Sequence, residues 1–224
     1  MSDDKGQDGQ ADVVSLANEE AVKQVLLDSV LGLWDVVNNL TRLKPSRHDR
    51  FREETKRVAR VLAELGCDII TGGGPGLMQA ANEGAAASGG QVKSVGIRVD
   101  LPFEQEVNSF VGMAFEHRTF FTRLHQFVLA SDAFVVAPGG IGTVLETLLI
   151  WQLLQVKHLR EVPLVLVGQM WPGLVEWART SMLSTDPPLA TAEDMHIPRC
   201  VATGDEAIAI LRESHQRWHR GHAG

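Results

Sequence analysis

TGGGPGLMQAANEGAAASGG at residues 71–90 and PGGIGTVLE at residues 138–146 are the two stretches that decide the fold. Each glycine cluster follows a short apolar run, CDII at 67–70 and DAFVVA at 132–137, and each opens onto residues with helical spacing. Glycine lets the backbone approach a ligand closely, and a helix N-terminus offers unpaired N–H groups to an anion. Two such turns at strand ends mark a nucleotide-sized cleft. Neither turn carries the lysine that the P-loop G-x-x-x-x-G-K-[ST] needs, which argues against nucleotide hydrolysis of that type. Neither fits the dinucleotide pattern G-x-G-x-x-G, which belongs to a first strand, whereas both of these turns follow later ones.

Outward from these turns, the chain alternates helix and strand. Spacing predicts helices over 53–65, 75–88, 118–130, 143–157, 173–183 and 204–219, and strands over 68–71, 92–99, 111–116, 132–137, 163–168 and 198–202. Short apolar strands separated by helices of ten or more residues indicate an α/β fold, a Rossmann-like, doubly wound, mainly parallel sheet with helices on both faces. Residues 1–19 read as a disordered acidic tail and 20–52 as a helical extension and linker. The apolar spacing from Val22 to Leu40 gives a helix over 20–43, with Trp34 on its apolar face. Residues 44–56 hold one large apolar side chain, Phe51, so no core strand fits there. The Rossmann-like domain is then 53–224.

Lys+Arg 21 against Asp+Glu 28 gives a net charge of −7 over 224 residues, a balance that argues against nonspecific nucleic-acid binding. No apolar run approaches the ~20 residues of a membrane span. The start MSDDKGQDGQAD is acidic where a secretory signal is basic and then apolar, so a cytoplasmic location is expected. Cys67 and Cys200 are far apart without CxxC spacing and read as buried small side chains. His117 and His125 stand near the turns with no second ligand at metal spacing, so no metal site is expected.

Arg123, fifteen residues ahead of Pro138, and Glu146, one turn into the helix after the second glycine cluster, are the charged candidates for the cleft. Taken alone, each fits equally well as a solvated helix charge. With GGGPGLMQAANEGA and PGGIGTVLE, however, they make the chain resemble the LOG (LONELY GUY) family, long labelled lysine decarboxylases. Its PGGxGTxxE pattern is met at Pro138, Gly139, Gly140, Gly142, Thr143 and Glu146, and its GGGxxGLM pattern at Gly72, Gly73, Gly74, Gly76, Leu77 and Met78.

The resemblance implies hydrolysis of the N-glycosidic bond of a nucleoside 5′-monophosphate, AMP or a cytokinin riboside monophosphate, to free base and ribose 5-phosphate. No cofactor and no metal are implied, and decarboxylation would need an electron sink such as PLP, for which no motif stands. Glu146 would stabilise the positive ribose or activate water, and Arg123 would hold it ionised. Gly139, Gly140, Gly142 and Thr143 would bind the phosphate, with Gly73, Gly74 and Met78 forming the opposite wall. The family precedent is a homodimer, and the helix TVLETLLIWQLLQV is apolar enough to face a partner on one side.

Departures from the family are equally specific. Its Arg-Lys pair is here Arg123-Leu124, and Leu145 replaces the first of its two final acids. Its apolar first strand and Gly-Ser turn are missing, because the chain passes from Phe51-Arg52 straight into Glu53. That strand would be central, and losing its buried side chains at ~1.5–3 kcal/mol each rivals the whole ~5–15 kcal/mol stability of a domain. Either the chain is interrupted at 52–53 or the strand is deleted, with one wall of the cleft lost. The competing reading is a noncatalytic nucleotide or molybdenum-cofactor binding protein on the same fold, similar to the molybdenum-cofactor carrier proteins that share the glycine-loop architecture, and the retention of both Arg123 and Glu146 favours the enzyme. A third makes the N-terminal extension an interaction module anchored by Trp34.

Overall fold

The computed structural model describes residues 45–89, 92–100 and 107–222, so the acidic tail and the helix expected over 20–43, with Trp34, lie outside the described residues. The first described helix, α1, spans Pro45–Glu64. It thus begins at Pro45 and not at Glu53. Proline lacks the N–H that a first helical residue leaves unpaired anyway and has its φ preset for a helix. From Asp49 onward the charged run that cannot be a strand is instead the exposed and ion-paired side of α1, which passes unbroken through Arg52 and Glu53.

The remaining elements follow in the expected alternation, with shifts of one to three residues at most ends. They are β1 (Ile69–Thr71), α2 (Leu77–Ala86), β2 (Ser94–Val99), β3 (Met113–His117), α3 (Phe120–Leu129), β4 (Phe134–Val136), α4 (Ile141–Gln155), β5 (Leu164–Val167), α5 (Trp171–Leu183), a 3-10 turn (Glu193–His196), β6 (Pro198–Val201) and α6 (Gly204–His222). Described strand pairs are all parallel, and β1–β2, β4–β5 and β5–β6 are each joined through a helix.

The sheet, however, comes in two parts. One has the order β1-β2-β3, with Ile70 opposite Val95 and Gly96 opposite Ala114; the other has the order β4-β5-β6, with Val135 opposite Val165 and Leu166 opposite Cys200. β1 and β4 are edges of their sheets and are not paired with each other. A doubly wound sheet reads β3-β2-β1 and then onward to the later strands. The break between β1 and β4 thus falls where the resemblance puts the absent first strand. Its effect shows in β4, where Val135 is 38% exposed, while its neighbour Val165 in β5 is fully buried.

Two sets of contacts join the parts. On α1, Arg52 and Lys56 pair with Glu83 of α2 at 3.0 and 2.6 Å, while Arg57 pairs with Asp205 of α6 at 2.5 Å and Glu54 accepts the Gly204 N–H at 2.5 Å. Leu62 of α1 packs against the cluster that holds Ile69 and Ala85 in the first part and also against the cluster of Val165, Val167, Ala207 and Leu211 in the second. On the opposite face, Val128 of α3 joins Ile150, Trp151, Leu164, Leu166 and Trp171 in the largest core cluster.

α1 and α2 cross closely because α2 carries Gly84 at the contact. A Cβ there would collide with the Lys56 carbonyl oxygen and lie 3.0 Å from the Arg60 nitrogen and 3.1 Å from the Ala59 methyl. Gly84→Ala gains helix propensity of about 1 kcal/mol but overpacks a backbone contact. It should lower urea stability by about 1–3 kcal/mol. The hydrogen bond from Lys56, with further support from Arg52, holds the Glu83 carboxyl below the ordinary value of 4.5. A depressed pKa adds stability that is present above the unfolded value and disappears as pH falls through the folded one. Glu83→Gln should cost about 1 kcal/mol near pH 7, and the gap to the parent chain should close in melts below pH 4.5.

Candidate functional site

The first glycine turn is held in place by a polar network. Thr71, at the end of β1, accepts from the Gly73 N–H at 2.9 Å and donates to Asn82 Oδ1 at 2.7 Å. Asn82 is fully buried in α2 and donates in turn to Ser94 Oγ on β2 at 2.9 Å. Asn108 closes the network from the loop ahead of β3. Its Nδ2 reaches the carbonyls of Gly73 and Gly74, both at 3.0 Å, and Asn82 Oδ1 at 3.1 Å, and its backbone N–H also donates to the Gly73 carbonyl. A buried polar group costs stability unless bonded, so a filled network of this kind fixes one loop shape.

Gly73 needs its missing side chain. Its φ is +75°, in the left-handed region, and a Cβ there would sit 3.3 Å from the Gly96 Cα. The turn ends at Gly76, which precedes α2 with no side-chain cap. The second turn ends similarly: Gly140 precedes α4 with no side-chain cap, and Gly139, Gly140, Ile141 and Gly142 are exposed. Both helices therefore begin with backbone N–H groups that no capping side chain occupies, the arrangement that receives anions.

Arg123 brings the two turns together. From α3 its Nε donates to the Ile97 carbonyl of β2 at 2.9 Å, and its Nη1 pairs with Glu146 Oε1 of α4 at 2.6 Å. A Cβ on Gly72 would lie 2.7 Å from the Met78 sulfur and 2.9 Å from Arg123 Nη2, so the first turn, Met78 and Arg123 share one spot. The guanidinium also stacks over Phe127 at 4.9 Å. Arg123 is 12% exposed and Glu146 39%, so the cation is the embedded partner and the carboxylate the one open to solvent. Thr143 meets the space above Gly139 and accepts through its carbonyl from Thr147 at 2.7 Å, which ties the second turn to the body of α4.

Of the residues singled out by sequence, Gly72, Gly73, Gly74, Met78, Arg123 and Glu146 thus gather in one place, and Gly139, Gly140, Gly142 and Thr143 open the helix that carries Glu146. Asn82 and Asn108 were not foreseen. Asn82 sits inside the quoted AANEGA, where nothing in the sequence marks it as the fully buried amide of α2. Asn108 had no signal, because a loop asparagine gains meaning only from what folds against it.

His117 pairs with the Gln126 side chain, and His125 lines a surface groove of about 470 Å³ on α3 with Phe121 and Leu129. Among the described residues no three or more His, Cys, Asp or Glu side chains gather in one place. Cys67 and Cys200 are free and half-buried, and burial pushes both thiols up, away from the reactive thiolate. No described helix is long and apolar enough to cross a membrane.

Comparison with known proteins sets this geometry among relatives. A curated relative, a probable cytokinin riboside 5′-monophosphate phosphoribohydrolase of Oryza sativa subsp. japonica, is 29% identical over 117 residues, covering 51% of this chain and 47% of the relative. The chain spans about half the length of that relative. Among solved structures, the molybdenum-cofactor carrier protein of Chlamydomonas reinhardtii aligns with a TM-score of 0.55 and 21% identity over 75% of this chain and 90% of the carrier. The molybdenum cofactor binding protein of Rippkaea orientalis aligns with a TM-score of 0.55 and 19% identity over 73% of this chain and 86% of that one. At such identities the likeness establishes the fold alone. The family model described as "Possible lysine decarboxylase" matches residues 78–211, more than half of the sequence and most of both turns' helices, so the chain belongs to that family.

Proposed function

We propose that the chain binds a phosphorylated, nucleotide-like ligand without turning it over, as a carrier or binding protein for a nucleoside monophosphate or for a molybdenum cofactor as cargo. The observation that carries this reading is the meeting of two glycine turns with uncapped helix N-termini at Arg123, beside β1 and β4, between which no strand stands among the described residues. Phosphate recognition needs only the N–H groups and a nearby cation. Glycosidic cleavage asks for more, because a reacting centre misplaced by about 1 Å loses on the order of a hundredfold in rate. A first strand and its turn would supply the wall that presses a ribose against Glu146. Two of the similar solved structures are molybdenum-cofactor carriers or binders, which supports the same reading.

A second reading, an N-glycosidase acting on AMP or a cytokinin riboside monophosphate, is favoured by the 2.6 Å Arg123–Glu146 ion pair and by the rice relative. In it, Glu146 stabilises the positive ribose as the base departs, and Arg123 keeps the carboxylate charged and aimed. The two readings share a subunit arrangement. Ile141, Leu145 and Leu148 of α4 are 67%, 49% and 43% exposed, an apolar face that a second copy would cover in a homodimer.

Calorimetric titration with AMP and adenosine, alongside chromatography for released adenine, separates these possibilities. AMP should bind at least about tenfold more tightly than adenosine, a difference of ~1.4 kcal/mol from the phosphate. No adenine should appear, and Glu146→Gln should bind AMP as the parent does. Adenine and ribose 5-phosphate released by the parent and not by Glu146→Gln would establish the glycosidase instead. Equal affinity for AMP and adenosine would overturn both. Asn108→Ala frees the carbonyls of Gly73 and Gly74 and should weaken AMP about fivefold to tenfold while the circular dichroism spectrum is retained. Light scattering on the eluting chain should give twice the monomer mass.

A further inference from the structure

The last helix carries a second cluster of chemistry, remote in sequence from the glycine turns. α6 ends in the stretch ESHQRWHRGH, which places His215 and His219 four residues apart. Residues at that spacing stand one above the other on a helix face. Here the stacking is close: the two rings meet edge to face at 4.4 Å between centroids, and the two Nε2 atoms are 3.0 Å apart. His215 is half-buried and His219 is exposed.

We infer that His215 and His219 form a two-imidazole chelate for a divalent transition metal ion of the zinc, nickel and copper class. Three physical points carry this. Imidazole nitrogens bind such ions at about 2.0–2.1 Å, and two of them at right angles, as in tetragonal copper or nickel, are then about 2.9 Å apart, close to the 3.0 Å already present, while tetrahedral zinc asks for roughly 0.3 Å more. The i, i+4 histidine pair on a helix is also the spacing by which helical zinc motifs present two ligands to one ion. Finally, one more contact fixes a ring: Trp218 packs edge-on against His219 at 5.0 Å, which narrows its rotamers.

Without metal, one Nε2–H donates to the other Nε2. With metal, both lone pairs turn to the ion and each ring carries its hydrogen on Nδ1, a change of tautomer that releases no net proton from the neutral pair. No third His, Cys, Asp or Glu joins the pair among the described residues, so water fills the remaining positions and the ion exchanges readily. Arg212, Arg217 and Arg220 lie on the same helix and add positive charge, which disfavours hard ions held by charge alone. Selectivity therefore follows imidazole affinity: copper above nickel and zinc, and no uptake of magnesium or calcium.

The test uses the full chain, free of any added histidine tag and stripped with a chelator. Nickel, zinc and magnesium chlorides are titrated calorimetrically into the parent, His215→Ala, His219→Ala and the double variant. Copper quenching of tryptophan fluorescence is followed in parallel, since Trp218 lies beside the site. Alanine favours helix, so these variants keep α6. One equivalent of nickel or zinc should bind the parent, each single variant should weaken it at least tenfold, the double variant should show no saturable site, and magnesium should give no heat. Equal nickel and zinc uptake by the parent and the double variant, or no uptake by the parent at ten times the protein concentration, would overturn the proposal.

Discussion

Everything in this molecule turns on how two half-sheets are kept together when no backbone ladder joins β1 to β4. α1 takes the place of that ladder on one face. Its polar side grips α2 through Glu83 and α6 through Asp205 and the Gly204 N–H, while Leu62 is shared between the two core clusters. On the other face Arg123 bonds to a β2 carbonyl and to Glu146 of α4, and so belongs to both parts at once. Side chains hold a junction that hydrogen-bonded strands ordinarily hold. Each such ion pair contributes little alone, on the order of 1 kcal/mol or less when exposed, but α1 carries several, and the shared burial of Leu62 adds to them.

Much of this was readable in advance, for reasons specific to the residues. β5 is LVLV, buried along its whole length, and a continuous apolar run between turn signals can only be an inner strand or a buried helix segment. The glycine turns were legible because glycine clusters at strand ends have few other uses, and Arg123 and Glu146 were legible only through the motifs around them. The start of α1 was not. Residues 45–52 carry a charge pattern that looks like a linker when read alone, and they become helix because Arg52 finds Glu83 on α2, thirty-one positions away. Asn108 is hidden for the same reason, since its partners are carbonyls that only the folded loop presents.

Residues 44–56 hold no apolar run, and among the described residues no strand stands between β1 and β4, where Val135 of β4 is exposed. An inner strand of a parallel sheet is normally covered on both faces and paired on both sides. Among the described residues β4 is paired on one side only. Unpaired edges are ordinarily found at the rim of a sheet, where charged residues or short length keep them from recruiting other strands. β1 and β4 meet that condition through their length of three residues each.

The location of the glycine turns gives this junction a further meaning. Gly72, Gly73 and Gly74 belong to the half that contains β1, and Gly139, Gly140, Gly142 and Thr143 to the half that contains β4. Whatever is held by both turns is therefore a cross-brace between two bodies, and its binding energy enters directly into their cohesion. By mass action, occupancy at a hundred times the dissociation constant adds about 2.7 kcal/mol to the folded state. For a sheet divided at its centre, a ligand held by both turns would be a structural member, and resistance to unfolding would become a gauge of how much of that ligand surrounds the protein.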